Sequence, residues 1–470
     1  MSNSLVVFEQ HAEDFGPLAL TRPVYGLRVG TSTLAEKIAD HECYREADFH
    51  FQVRDYLAPI VPQIGYFAAI FERGASVNDL SRAGEQGALF VDGAVIASLS
   101  DMPALDGPNE VGIVTETLQE NGKTVERRRV VYVRADAEAC RKLGSLEDLL
   151  QAPESSGLDM KDAGADLTVA AFPWDLVINS GKDIEAGFKK RRTNSHTPEG
   201  IIFLGERDGS YISETADIGP GAVIDTRGGG VYIGDNVEIQ ASVLVDAREG
   251  AIIFEDSPHD KTIVQTGSQV YGPVYIGTGN QIKQATVREG CCFGPTCRVG
   301  GELEEVVIIG YSNKQHFGYM GHAVIGEWVN WGAGTTNSDL KNDYSNVVVE
   351  LSKGRHIDSL QNKTVGCYIG DHTKTALGAF FNTGTVVGVM SNILMNQVTE
   401  DKYLPHFAIY DNGRVIPGRG GVRTGETVMG RRGIEMTPEY KAMMKHLSDR
   451  FKQETREMWR ATREPSGQSK

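Results

Sequence analysis

Residues 217–240 read DIGPGAVIDTRGGGVYIGDNVEIQ, and their large apolar residues return at steps of six that belong neither to a strand nor to a helix. Ile218-Gly219 leads to Ile224, and Ile233-Gly234 leads to Ile239. The same pairing recurs downstream, with Ile276-Gly277 before Ile282, Phe293-Gly294 before Val299 and Ile325-Gly326 before Trp331. Such a rhythm suits a left-handed parallel β-helix of hexapeptide repeats. Each six-residue unit makes one side of a triangular coil and sends its apolar residue into the prism. The glycine that follows is expected to permit the backbone of the corner. This predicts a β-helix over residues 205–400 and accounts for the 54 glycines of the chain, which are concentrated there. Stacked coils leave flat apolar faces, so association into a homotrimer is expected.

Upstream, residues 1–200 have a different texture. LVVF at 5–8 reads as a buried strand, TLAEKIAD at 33–40 as a short helix, and GALFVDGAVIASL at 87–99 as a strand and turn. Asn121-Gly122 between β-rich runs marks a hairpin, AEACRKLGSLEDLLQ reads as helix, and QAPESSGLDMKDAGADL as a loop. Interleaved strands and helices predict an α/β domain of nucleotide-binding, Rossmann-like type. Downstream, residues 401–470 form a third segment. GRVIPGRGGVRTGETVMGRRG is basic and glycine-rich, and the helix predicted after it starts at Thr437-Pro438. That helix carries Tyr440, Met444, Leu447, Phe451 and Met458 on one stripe, which reads as a docking face.

A net charge of −16 over 470 residues argues against nucleic acid as a partner, because phosphate neutralisation needs surplus Lys and Arg. The N-terminal MSNSLVVFEQHAEDF has no basic leader pattern, and no apolar run is long enough to span a bilayer. A cytoplasmic protein without a membrane partner is expected. The 6 cysteines show no CxxC and no zinc-type pairing with histidine, so free thiols are expected.

Against this background, His316-x-x-Tyr319 and IGEWVNWGAG resemble the acetyltransferase half of a bifunctional family. Its members are N-acetylglucosamine-1-phosphate uridyltransferases and glucosamine-1-phosphate N-acetyltransferases. PLALTRPVYGLRVGTSTLAEK and FPWDLVINSG resemble the divergent, Bacteroidetes-type branch of that family. VGGELEEVVIIGYSNKQHFGYMG is also similar to archaeal sugar-1-phosphate nucleotidylyltransferases with a β-helix tail. The resemblance covers most of residues 5 to about 395. It implies a nucleotidyltransferase-like first domain that uses UTP and Mg2+, a β-helix that uses acetyl-CoA, and a sugar phosphate as the shared substrate. Two rival readings remain: a nucleotidyltransferase whose β-helix only assembles the oligomer, and an acetyltransferase whose first domain has degenerated. A non-enzymatic binder of sugar nucleotides is a third.

The resemblance assigns roles residue by residue. His316 matches the general base that removes a proton from the amine of glucosamine-1-phosphate, a task for imidazole near neutrality. Its bland alternative is a loop histidine bonded to a carbonyl. Tyr319, Asn330 and Asp339 fall on sugar-phosphate positions, with Asp339 where the main family has an asparagine. The basic pair expected ahead of the histidine is replaced by Glu302, Glu304 and Glu305, which leaves Arg298 and Lys314 as the nearest substitutes. For the alternative readings, Tyr319 caps its loop and Asn330 is a corner residue. Ala333 and Gly334 offer backbone N–H groups to an oxyanion. His372, Lys374 and Thr375 are acetyl-CoA candidates, or a solvated turn. In the first domain only Thr21-Arg22 and Glu36-Lys37 remain of the family's phosphate loop, and no GxG precedes them. Arg22, Arg28 and Lys37 are the nucleotide candidates and Asp92 the Mg2+ candidate, against a solvated basic loop and a turn aspartate. His316 and His322 stand six apart without a third histidine, so a metal between them is not expected.

Overall fold

The computed structural model describes residues 3–142, 145–194, 196, 198–360, 362–418 and 420–463. The chain divides into two compact units. The first holds the chain through Phe15, Ala19–Leu27 and Ser32–Phe172; the second holds Gly16–Leu18, Arg28–Thr31 and everything from Pro173 on. The division after Phe172 lies ahead of the boundary expected near residue 200.

The first unit is built on a mixed sheet in the order Glu110–Glu120, Lys123–Asp136, Gly87–Asp92, Ser4–Phe8, Asp48–Gln52, Ser76–Val77. Ser4–Phe8 pairs in parallel on both sides and is buried at every position, which explains why it reads as an unbroken apolar run. Asn121 and Gly122 both take positive φ, 50° and 75°, and close the expected hairpin. The helix Leu34–Ala39 starts at a capping box between Thr33 and Glu36. The segment expected as a loop after Gln151 contains a strand, Asp159–Asp162, parallel to Glu110–Glu120. All its residues are exposed, so no burial pattern betrayed it.

The second unit is the left-handed β-helix. Short strands stack in parallel in three columns: Val223 pairs with Leu244, Tyr211 with Tyr232, and Ile218 with Ile239. Every apolar residue named in the six-residue rhythm, from Ile218 to Trp331, joins one continuous core. The reason for the glycines differs from the expectation. A Cβ on Gly219 would stand 2.5 Å from the Ala241 nitrogen, and Gly219 has no positive φ. Glycine therefore admits the backbone of the neighbouring coil. The left-handed corner falls two residues later, often on a residue with a side chain: Asn236, Thr296, Trp328, His372 and Met390 all have φ near 60°.

The helix Pro173–Phe188 lies along one face of the coils, burying Trp174, Leu176, Val177, Ser180, Asp183 and Ile184. Trp174 meets Tyr368, and the Ser180 hydroxyl lies 3.6 Å from the Cys292 sulfur. This gives FPWDLVINSG a packing role. The predicted tail helix is Pro438–Ala461, capped by Thr437, and it buries Met443, Met444 and Leu447. Phe451 stacks on His406 at 3.9 Å between ring centroids, while Met458 and Trp459 pack against the prism core. The helix thus covers apolar surface of the coil stack. All 6 cysteines are free thiols. Among the described residues no helix is long and apolar enough to cross a membrane.

Candidate functional site

In the β-helix the sequence HFGY forms a protruding turn. His316 and Phe317 are exposed, and His316 Nε2 lies 3.1 Å from the amide nitrogen of Gln315. Lys314 explains how that turn is held. In register with Val299, it occupies an inward position of the prism and is only 2% exposed. Its ammonium donates to the carbonyls of Gly300 and His316, at 2.8 and 2.7 Å, and burial lowers its pKa to about 8. Lys314 was expected to hold a sugar phosphate; the structure corrects this, because its charge is inside the coil and directed at backbone oxygens.

Behind the turn lies a hydrogen-bonded string. The Tyr319 hydroxyl donates to Asp339 Oδ2 at 2.7 Å, and His322 Nδ1 meets the same oxygen at 2.7 Å. His322 Nε2 stands 3.3 Å from Glu305. Burial alone would lower the His322 pKa, but the bond to Asp339 and the charges of Glu305, Asp339 and Glu304 raise it above its ordinary value. Desolvation would raise the Asp339 pKa, but His322 and Tyr319 hold it below the usual carboxylate range. Sequence reading considered His322 only as a metal ligand and missed this pairing. Its signal was the loss of the family's asparagine at position 339. Among the described residues no cluster of His, Cys, Asp and Glu could hold a metal ion.

Other expected contacts separate into surface and interior. Asn330 is exposed, and it bridges in parallel to Asn313 on one side and Lys374 on the other. Arg298 pairs with Asn313, so these residues form one outward column. Ala333 and Gly334 are half-buried, and the Gly334 N–H is bonded to the Phe317 carbonyl at 3.0 Å. Two acetyl-CoA expectations are corrected. His372 is 1% exposed beneath the tail, with Nε2 3.0 Å from the Tyr440 hydroxyl. Thr375 is buried, and its hydroxyl accepts from the Gly332 N–H at 2.8 Å.

The nucleotide candidates Arg22, Arg28 and Lys37 are interior side chains and not a solvated basic loop. Arg22 and Lys37 are buried, and the Lys37 ammonium meets Ser32 Oγ at 3.1 Å. Arg28 belongs to the second unit, donating to the Thr31 carbonyl at 2.9 Å beneath the ring of Tyr275. At the carboxyl ends of the parallel strands, where open α/β sheets bind ligands, Glu9 accepts two bonds from the Arg54 guanidinium, one from the Arg54 backbone N–H and one from the Val24 N–H. Asp92 ends such a strand but is fully buried. It accepts from Arg129 at 2.6 Å, Gln10 at 2.8 Å and the Ala94 N–H at 3.0 Å. Each partner is a donor and one is a guanidinium, so this carboxylate does not fit Mg2+, and the expectation of a metal ligand there is corrected.

Comparison with known proteins adds to this geometry. Over 92 residues the chain is 37% identical to a bifunctional sugar-1-phosphate nucleotidylyltransferase/acetyltransferase of Sulfurisphaera tokodaii, covering 20% of this chain and 22% of that protein. Over 157 residues it is 28% identical to the bifunctional protein GlmU of Streptococcus uberis, covering 29% of this chain and 33% of that one. The matches therefore span a third or less of these relatives. A UDP-N-acetylglucosamine acyltransferase of Francisella novicida covers 57% of this chain and 84% of its own, at 15% identity and a TM-score of 0.23, too loose a likeness to argue from. Residues 5–195 match the family described as sugar nucleotidyl transferase, and it is this stretch that ties the first unit to a known family.

Proposed function

We propose that the chain is a transferase of sugar-nucleotide synthesis with two activities: acetyl transfer from acetyl-CoA to the amine of glucosamine-1-phosphate, and uridylyl transfer from UTP to give UDP-N-acetylglucosamine. One observation carries the reading. A stretch matching sugar nucleotidyl transferases and a hexapeptide β-helix occur in a single chain, and the relative from Sulfurisphaera tokodaii is named for nucleotidylyltransferase and acetyltransferase activities together. In the β-helix, His316 is the base. It accepts the proton of the substrate ammonium, the freed amine attacks the thioester carbonyl, and the carbon–sulfur bond breaks to release the CoA thiol. Its exposure on a turn anchored by Lys314 supports that role. Asn330, exposed in the coil next to that of Asn313, is the sugar contact. Tyr319 meets the substrate through its oxygen, since its proton is directed at Asp339. In the first unit the buried cations Arg22 and Lys37 supply positive potential for the triphosphate. Mg2+ belongs to this reaction class, and Asp92 is not its ligand.

A homotrimer is proposed as the working assembly, supported by the exposure of Phe317 (73%) and Leu377 (76%), which lie on coils separated by the coil of Ala333 and Gly334. A cytoplasmic location goes with these substrates.

The test is an assay of purified protein with glucosamine-1-phosphate, acetyl-CoA, UTP and Mg2+, following thiol and pyrophosphate separately. His316→Ala should lower thiol release about 10²- to 10⁴-fold and leave pyrophosphate release unchanged when N-acetylglucosamine-1-phosphate is supplied directly. Equal thiol release by the variant removes His316 from the chemistry.

A further inference from the structure

We infer that Arg298 and Lys374 of the β-helix, joined by Arg432 from the C-terminal segment, form an anion stripe that binds the diphosphate of a nucleotide-type ligand. The chemistry is shared by CoA thioesters and sugar nucleotides. The inference rests on the proposed acetyl transfer only in naming CoA as the source.

The stripe begins as a column in the coil register. Gln281 pairs with Arg298, Arg298 with Asn313, and bridges continue from Asn313 to Asn330 and from Asn330 to Lys374. Each position is polar and faces outward, because the next residue along, such as Ile282 or Val299, enters the core. With rungs about 4.8 Å apart, Arg298 and Lys374 are separated by roughly 14 Å. An extended diphosphate ligand can reach both.

Arg432 comes from outside the repeat, just past the helix Gly421–Gly430, and its Nη2 donates to Asn313 Oδ1 at 2.9 Å. It is therefore held beside Arg298. Burial and the charge of Arg432 both lower the Arg298 pKa, as expected of like charges pushed together. Among the described residues only Nη1 of the Arg298 guanidinium is engaged, with the carbonyls of Gly279 and Cys297. Lys374 donates to the His372 carbonyl at 2.9 Å, and burial lowers its pKa too. Among the described residues none of these three cations forms an ion pair. Asp260 is the carboxylate that acts on Arg298, after the neighbouring Cys297 thiol, and it forms no ion pair with it. In a chain of net charge −16, cations gathered without a carboxylate call for an anion from outside.

Calorimetric titration of the full-length protein with CoA, UDP and inorganic pyrophosphate tests this. Wild type should bind CoA with an affinity that falls as salt rises. Arg432→Gln and Lys374→Gln should each weaken binding about ten- to a hundredfold, while Arg432→Lys keeps most of it. Thermal melts identify any variant that fails to fold, and the conservative lysine variant then decides. UDP binding that survives Arg432→Gln belongs to another site. If pyrophosphate binding depends on Arg432 but CoA does not bind, the stripe stands and the acetyl-transfer reading falls. If both glutamine variants fold and bind CoA and pyrophosphate like wild type, or wild type binds neither, the inference is overturned.

Discussion

Lys314 shows how far a side chain can depart from what its letter suggests. In the sequence it stands two residues before His316 and reads as a surface cation for a phosphate. In the structure it takes a core position and turns its ammonium back onto the carbonyls of Gly300 and His316. Counting sixes on from Val299 passes through Glu305 and Tyr311 and misses position 314, and its charge argues for the surface, so only the pairing with Val299 and the two carbonyls place it inward. Lys314→Met should keep the volume but leave those oxygens unbonded. We expect a loss of about 1–3 kcal/mol by urea unfolding, with reduced thiol release as the His316 turn loosens. His316 stands out in the sequence because HxxY survives as a motif, and its part in the chemistry is a proposal. The His322–Asp339 pair was not, since the two residues lie 17 apart and meet only through the coil stack. Its pH dependence has a definite sign. The raised His322 pKa gives stability that is complete below about 6.5 and is lost as pH rises through the folded value. The lowered Asp339 pKa gives stability present above about 3.9 and lost as pH falls through its folded value. His322→Gln should therefore cost more stability at pH 5.5 than at pH 8.5; an equal deficit at both would deny the pairing.

At the scale of elements, the repeat was legible because prism burial imposes one apolar residue per side. The reason for each glycine was not, because a close approach between coils joins positions a whole coil apart. Gly219 against Ala241 is such a case. The tail helix was legible from its stripe, whereas its partner surface was not. That surface includes His406, whose Nδ1 accepts from the Val389 N–H at 2.9 Å. Burial, aided by Arg450, lowers the His406 pKa to about 3. The ring stays neutral in the fold while the unfolded chain takes up a proton below about 6.5, so stability falls on acidification through that range. His406→Asn offers an oxygen to the same N–H without a titrating ring. It should flatten the decline in melting temperature between pH 7 and pH 4; an unchanged slope would show that the decline arises elsewhere. Leu447→Ala, at a fully buried site on the helix, should cost about 2–5 kcal/mol.

For the whole molecule, the proposed trimer should appear by light scattering at three times the chain mass of 51.2 kDa. A monomer that still acetylates would contradict the proposal. Replacing the exposed Phe317 and Leu377 with serine should shift the balance toward smaller species. A further consequence follows from the path of the chain. Arg28–Thr31 precedes most of the first unit yet belongs to the second, where Asp183 accepts from the Thr31 N–H at 2.9 Å and Ser180 from the Gly30 N–H at 3.1 Å. A gene cut at codon 173 would therefore yield a coil domain whose buried Asp183 and Ser180 had each lost a backbone donor. Recombination at a single junction cannot exchange the β-helix as a free cassette. Seven residues, Gly16–Leu18 and Arg28–Thr31, belong to the coil unit although the linear map assigns them to the other side.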